Sequence, residues 1–143
     1  PTLIVTQQAC PMWVPLIESG EHLSDGANYF VEKYLTELLT RDPLIDTIIL
    51  GCTHYPLLQP KIEAFLSSIA HSQSPVTNHH ISVVSQGSIV ADSFADYLHR
   101  HPEFSQDSKG GTCKYLTTES AAKFSESASI FLSEPITAHH IEL

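Results

Sequence analysis

Short apolar runs alternate along this chain with longer stretches whose apolar positions recur every three or four residues, an order that predicts strands alternating with helices. Leu3-Ile4-Val5, running out at Thr6-Gln7-Gln8, reads as a buried strand entering a loop. Ala9-Cys10-Pro11 and Pro15 are expected to keep the next stretch out of regular helix, since proline has no N–H to donate. Ser24 or Asp25 then caps a helix over about 26–39, with Phe30, Tyr34, Leu38 and Val31, Leu35, Leu39 along one side and Arg41-Asp42-Pro43 as its stop. Thr47-Ile48-Ile49-Leu50 is uncharged and rich in β-branched residues, which predicts a strand buried on both faces of a parallel sheet. Gly51 interrupts it and Pro56 stands at a first helical position. Leu58, Ile62, Phe65, Leu66 and Ile69 then mark one side of a helix reaching about residue 70.

The alternation continues. Residues 71–80 are polar and read as loop, Ile81-Ser82-Val83-Val84 as a strand, and Gln86-Gly87-Ser88 as the entry to a helix through Val90, Phe94, Tyr97 and Leu98 that Pro102 closes. A second polar loop covers 105–111, followed by a strand within 113–118. Thr118 or Ser120 caps a helix carrying Phe124, Ala128, Phe131 and Leu132, and 136–143 forms a last strand. The fold class is therefore α/β, a mostly parallel sheet flanked by helices.

Composition narrows the function more than the fold. The 143 residues, 42% hydrophobic and 16% charged, suit a soluble globular domain, and no apolar run is long enough to span a membrane. Seven Lys+Arg face sixteen Asp+Glu for a net charge of −9, with no basic cluster, so neither a nucleic acid nor a membrane is expected as a partner. The opening PTLIVTQQAC has no signal-peptide pattern and no initiator Met, which predicts a piece of a longer chain. Three widely spaced cysteines, Cys10, Cys52 and Cys113, form no disulfide framework and fit a reducing, cytoplasmic setting in which a thiol can be catalytic.

Cys52 is the candidate thiol. Ligands of open α/β sheets bind beyond the carboxyl ends of the strands, where Gly51-Cys52-Thr53-His54 falls. A helix start near Pro56 and a histidine two residues away both favour the thiolate, and Gly51 leaves room for a ligand. The N–H groups of Thr53 and His54, with the Thr53 hydroxyl, can hold a carboxylate. The plainer alternative is an inert buried thiol. Cys-x-His is too little for zinc, and Cys10, Cys113 and the pairs His79-His80 and His139-His140 make no ligand pattern, so no metal is expected. Cys10 and Cys113 read as structural, Asp25 as a cap and Asp46 as a strand-entry residue. Trp13, Tyr29, Phe30 and Tyr34 read as core or interface.

Leu50-Gly51-Cys52-Thr53-His54-Tyr55-Pro56-Leu57-Leu58 resembles the second cysteine motif of the bacterial glutamate racemases, within the aspartate/glutamate racemase family. Ala9-Cys10-Pro11-Met12-Trp13-Val14-Pro15-Leu16-Ile17-Glu18 resembles that family's Ala-Cys-Pro…Val-Pro-Leu…Glu segment, 34 positions ahead of Cys52 as measured from Glu18. Gly87, Tyr115-Leu116-Thr117-Thr118 and Phe124…Phe131-Leu132 resemble its C-terminal stretch, whereas Ser85-Gln86-Gly87 departs from the commoner Asp-Ser-Gly. The resemblance implies cofactor-independent interconversion of L- and D-glutamate for peptidoglycan, carried out by two cysteines on opposite faces of the α-carbon. It implies that Cys52 is one acid/base thiol, that Thr53 and His54 contact substrate, and that His54 tunes Cys52. Glu18, otherwise a solvated carboxylate, would orient His54. The other cysteine would lie in an N-terminal half outside this chain, so the chain alone should be inactive. By the same resemblance 1–84 is a second α/β domain, 85–143 returns to the first domain and exposes apolar faces meant for it, and the protein is a homodimer. Three alternatives stay open: a related aspartate or hydantoin racemase; a cysteine hydrolase with Cys52 as nucleophile and His54 as base, although side chains two apart at a strand end generally diverge; and an inactive interaction module.

Overall fold

A computed structural model describes residues 3–71, 79–104 and 112–143. The elements in chain order are helix α1 (Trp13–Glu18), helix α2 (Asp25–Arg41), strand β1 (Thr47–Ile49), helix α3 (Gln59–His71), strand β2 (Ser82–Val84), helix α4 (Gln86–Arg100), strand β3 (Tyr115–Thr117), helix α5 (Ala121–Leu132) and strand β4 (Ala138–His140). Short 3-10 turns occupy Glu21–Leu23, Tyr55–Leu58 and Pro102–Phe104. Both strand pairs are parallel, β1 with β2 (Ile48 opposite Val83) and β3 with β4 (Leu116 opposite His139). Each pair is joined through a helix, as parallel strands require. The chain divides into two compact units, Pro1–Val90 and Ala91–Leu143.

In the first unit α1, α2 and α3 enclose one apolar core with β1. Ser24 caps α2, its hydroxyl accepting from the Ala27 N–H at 3.2 Å, and Val31, Tyr34, Leu35, Leu38 and Leu39 point inward at the expected helical spacing. Leu58, Ile62 and Leu66 supply the facing side from the 3-10 turn and α3. Ile17, Val31, Leu39, Leu50, Leu58 and Ile62 are almost wholly buried, each stabilising by about 1.5–3 kcal/mol. Trp13 packs edge-on against Tyr55, with ring centroids 4.8 Å apart, and its indole N–H donates to the Phe30 carbonyl at 3.3 Å. The Trp13 and Tyr34 rings are thus core and Phe30 packs half-buried against it, while Tyr29 is exposed.

Several expectations need correcting. Leu3-Ile4-Val5 is neither strand nor buried: the run is exposed, with no described strand beside it to pair with. The chain is first anchored just beyond it, where the Thr6 hydroxyl donates to Asp42 and Arg41 donates to the Gln7 carbonyl. Pro15 does not prevent α1, because it sits in the first turn, where a missing N–H costs nothing. β1 is buried on one face only, with Ile48 inward and Ile49 67% exposed. Cys113 is exposed and precedes β3. The loops expected at 71–80 and 105–111 lie largely outside the described residues.

In the second unit α5 packs with β3 and β4, and Ser120 caps it by accepting from Lys123 N–H. Ser125 donates to the Ala121 carbonyl and accepts from the Ala138 N–H, and Ser129 links the Ser125 carbonyl to the Ile136 N–H in the same way. Ala138 is buried, whereas Leu116, Phe124, Phe131 and Leu132 remain exposed. On α4, Ile89, Val90, Phe94 and Tyr97 are exposed as well.

Candidate active site

The site grows from the carboxyl end of β1. Leu50 extends the ladder by donating its N–H to the Val84 carbonyl at 3.0 Å, and its side chain is sealed in the core. Beyond it the chain turns back on itself. Tyr55 N–H donates to the Cys52 carbonyl at 3.2 Å and Leu57 N–H to that of His54 at 3.1 Å. In a regular strand side chains 52 and 54 would share a face about 7 Å apart, and this turn draws them closer. Cys52 Sγ and His54 Nδ1 lie 3.8 Å apart, so the expected divergence does not occur.

The second imidazole nitrogen is taken up from far away in sequence. His54 Nε2 lies 3.1 Å from Glu18 Oε1, at the last residue of α1, whose position is set by the burial of Trp13 and Ile17. A carboxylate can only accept, so where Glu18 is ionised Nε2 is the donor, and in the matching neutral tautomer Nδ1 is left to accept from the thiol. The glutamate side chain is 63% exposed, so the contact orients the ring more than it stabilises the fold. Glu18, His54 and Cys52 thus form a carboxylate–imidazole–thiol chain along which a proton can leave sulfur.

Cys52 opens onto a cavity of about 250 Å³ lined by Leu50, Cys52, Thr53, Pro56, Gln86, Gly87 and Val90. Its walls are mostly hydrocarbon, and the thiol, the Thr53 hydroxyl and the Gln86 carboxamide supply the side-chain polarity. Thr53 is exposed and makes no hydrogen bond with any described residue, which leaves its N–H and hydroxyl available to a ligand. Gln86 escaped the sequence reading. The signal for it was the parallel pairing itself, which sets the carboxyl ends of β1 and β2 side by side and brings the residues after Val84 to those after Leu50.

The remaining candidates fall elsewhere. Cys10 is buried in the core, and burial, reinforced by the Glu37 charge, pushes its thiol up to about 12, so it is inert near neutrality. Burial also raises the Tyr55 phenol, with negative charge on Cys10 or Cys52 adding to the effect. Asp25 begins α2 and accepts from Asn28, while the Asp46 carbonyl accepts from Ser82 N–H. A larger hollow of about 380 Å³ between α2 and α3 has no thiol or imidazole, and its Lys61 ammonium already donates to Leu23, Ser24 and Asn28. Among the described residues no three His, Cys, Asp or Glu side chains gather as metal ligands, and no helix is long and apolar enough to cross a membrane.

The fold is that of one half of an α/β racemase. A glutamate racemase isoform from Bacillus anthracis superposes with a TM-score of 0.72 at 26% identity, covering 95% of this chain and 46% of that one. In sequence, too, the chain is related to the glutamate racemases. It is 35% identical to the enzyme of Lactiplantibacillus plantarum over 100% of its own length and 48% of the relative's. With that of Ruegeria pomeroyi it shares 38% identity over 93% of this chain and 44% of the relative. The chain therefore spans about half the length of the curated relatives it matches. No family model matches it.

Proposed function

We propose that the whole protein interconverts L- and D-glutamate without a cofactor and that this chain supplies one of the two thiols required. The observation carrying the reading is the Cys52–His54–Glu18 chain at the mouth of a small pocket, in a sequence that matches glutamate racemases from end to end. Racemisation needs a base on one face of the α-carbon and an acid on the other, because a single base tends to return the proton to the face it left. The α-proton is very weakly acidic, so the site must stabilise the developing carbanion charge and exclude water while the thiolate acts as base.

His54 takes the Cys52 proton onto Nδ1, and Glu18 stabilises the resulting imidazolium through Nε2. The Cys52 thiolate then removes the α-proton from one enantiomer. Acting in reverse, the Cys52 thiol donates a proton to form that enantiomer. Thr53 and His54 contact the substrate, with the free Thr53 N–H and hydroxyl available to a carboxylate. The second cysteine belongs to the other half of the protein. In the same reading, 1–84 forms the second α/β domain and 85–143 a segment returning to the first, its exposed apolar side chains being the surface that returns. The product supplies peptidoglycan synthesis in the cytoplasm, and the protein works as a homodimer.

The test is D-glutamate formation from L-glutamate, followed by chiral chromatography, for the complete protein and for these 143 residues alone. Turnover is expected from the complete protein and none from the chain alone. A chain that racemises by itself overturns the two-thiol reading. The contact of Cys52 with His54 also equips a nucleophile, so a cysteine hydrolase is the second reading. A thioester trapped on Cys52 from an acyl donor would favour it.

A further inference from the structure

We propose that Gln86 is a substrate-positioning residue whose carboxamide donates to a carboxylate bound beside Cys52. The inference rests on the racemase reading for its substrate, a small amino acid, and on the pocket for its geometry. Gln86 opens α4 directly after β2, so its side chain stands across the cavity from Cys52 and Thr53. Leu50, Pro56 and Val90 offer that cavity only hydrocarbon, and no side chain lining it carries a positive charge. An anionic group entering it must therefore be met by neutral donors, and the carboxamide NH₂ and the Thr53 hydroxyl are the side-chain donors of this kind, apart from the thiol. Neither side chain has a hydrogen-bond partner among the described residues, so neither must break a bond to receive a ligand. Gly87 keeps the wall beside Gln86 clear, since a Cβ there would meet nothing within 4 Å. Gln86 is exposed and takes no part in the core, so its side chain is not explained by packing.

A pair of alkylating reagents that differ in charge tests this without relying on turnover. Iodoacetate and iodoacetamide both transfer their carbon to the thiolate with loss of iodide, but only iodoacetate presents a carboxylate. The rate ratio of the two at Cys52, read by peptide mass spectrometry, is expected to exceed that at exposed Cys113 in the same molecule. Gln86→Ala should lower the Cys52 ratio about five-fold, the worth of one solvent-accessible hydrogen bond, while leaving the iodoacetamide rate unchanged. Gln86→Glu should lower it further, because its like charge repels iodoacetate, while any change in thiolate fraction affects both reagents equally and cancels. In the complete protein Gln86→Ala should raise KM for glutamate by a similar factor with little change in kcat. A ratio that stays constant in both variants, whether or not the two rates move together, overturns the proposal and leaves the racemase reading standing. A ratio that falls as expected in a complete protein that forms no D-glutamate retains the carboxylate site and rejects the racemase reading.

Discussion

The two compact units are assembled from the same plan, a strand, a helix and a second strand parallel to the first, yet they are held together by different physics. Between β1 and β2, α3 joins α1 and α2 around Leu39, Leu50, Leu58 and Ile62, and hydrocarbon burial dominates. Between β3 and β4, α5 is stitched to its neighbours through the Ser125 and Ser129 hydroxyls, each such bond contributing about 1 kcal/mol net. Its large apolar side chains Phe124, Phe131 and Leu132 face outward, with Leu116 of β3 exposed as well. The difference bears on where the proposed chemistry lies. Proton transfer demands atoms held in register, and the strand end that carries Cys52 is fixed from below by the buried Leu50, while Trp13 and Ile17 fix the helix that carries Glu18. The residues that follow β3, Thr118 and Glu119, are exposed instead.

Truncation inside each unit sharpens the contrast most strongly. Ile62→Ala should cost about 2–5 kcal/mol, because the cavity it leaves is enclosed on all sides. Phe124→Ala should cost less than about 1 kcal/mol, since that ring is 38% exposed. Urea midpoints with unchanged slopes measure both, and equal losses would erase the distinction between the units.

Smaller effects are expected where the units' order meets the chemistry. Glu18→Gln preserves shape and removes the charge that holds His54, so it should slow racemisation by the complete protein about ten-fold, the worth of one charge-assisted hydrogen bond. It should leave the urea midpoint unmoved, because the contact is solvent-facing. A midpoint that falls together with the rate would mark Glu18 as structural instead.

The smallest effect concerns Cys10. Its folded-state thiol is raised to about 12 by burial and by Glu37, above the value near 8.5 of an unfolded chain. The stability linked to that neutral thiol is therefore full below the unfolded value and is lost progressively as pH rises toward 12. Urea midpoints at pH 8 and pH 10 should fall further apart for the native protein than for Cys10→Ala, and identical spacing would show that the core does not hold the thiol neutral.

Much of this arrangement was legible in the residues. Ser24 before the Val31–Leu35–Leu39 stripe announced α2, and uncharged 47–50 followed by a glycine announced a parallel strand and its end. What escaped was whatever depended on neighbours. Thr47-Ile48-Ile49-Leu50 looks buried on both faces, yet the described sheet has two strands in this unit and Ile49 is uncovered. Leu3-Ile4-Val5 carries a strand's composition but has no strand beside it among the described residues. The approach of His54 to Cys52 depends on a turn that no spacing rule encodes, and Gln86 reaches the pocket through the pairing of two strand ends rather than any motif. The reach of Glu18 to His54 across 36 positions was open only to family resemblance, because packing of α1 creates it.

The most direct trial is deuterium incorporation at the α-carbon in heavy water, measured separately from L- and D-glutamate, in the complete protein and its Cys52→Ala variant. The native protein should exchange both enantiomers. With Cys52 absent, racemisation should fall about 10³-fold or more, and exchange should vanish from the enantiomer whose proton faces Cys52 while persisting from the other. Undiminished exchange from both enantiomers in the variant would show that sulfur at position 52 moves no proton.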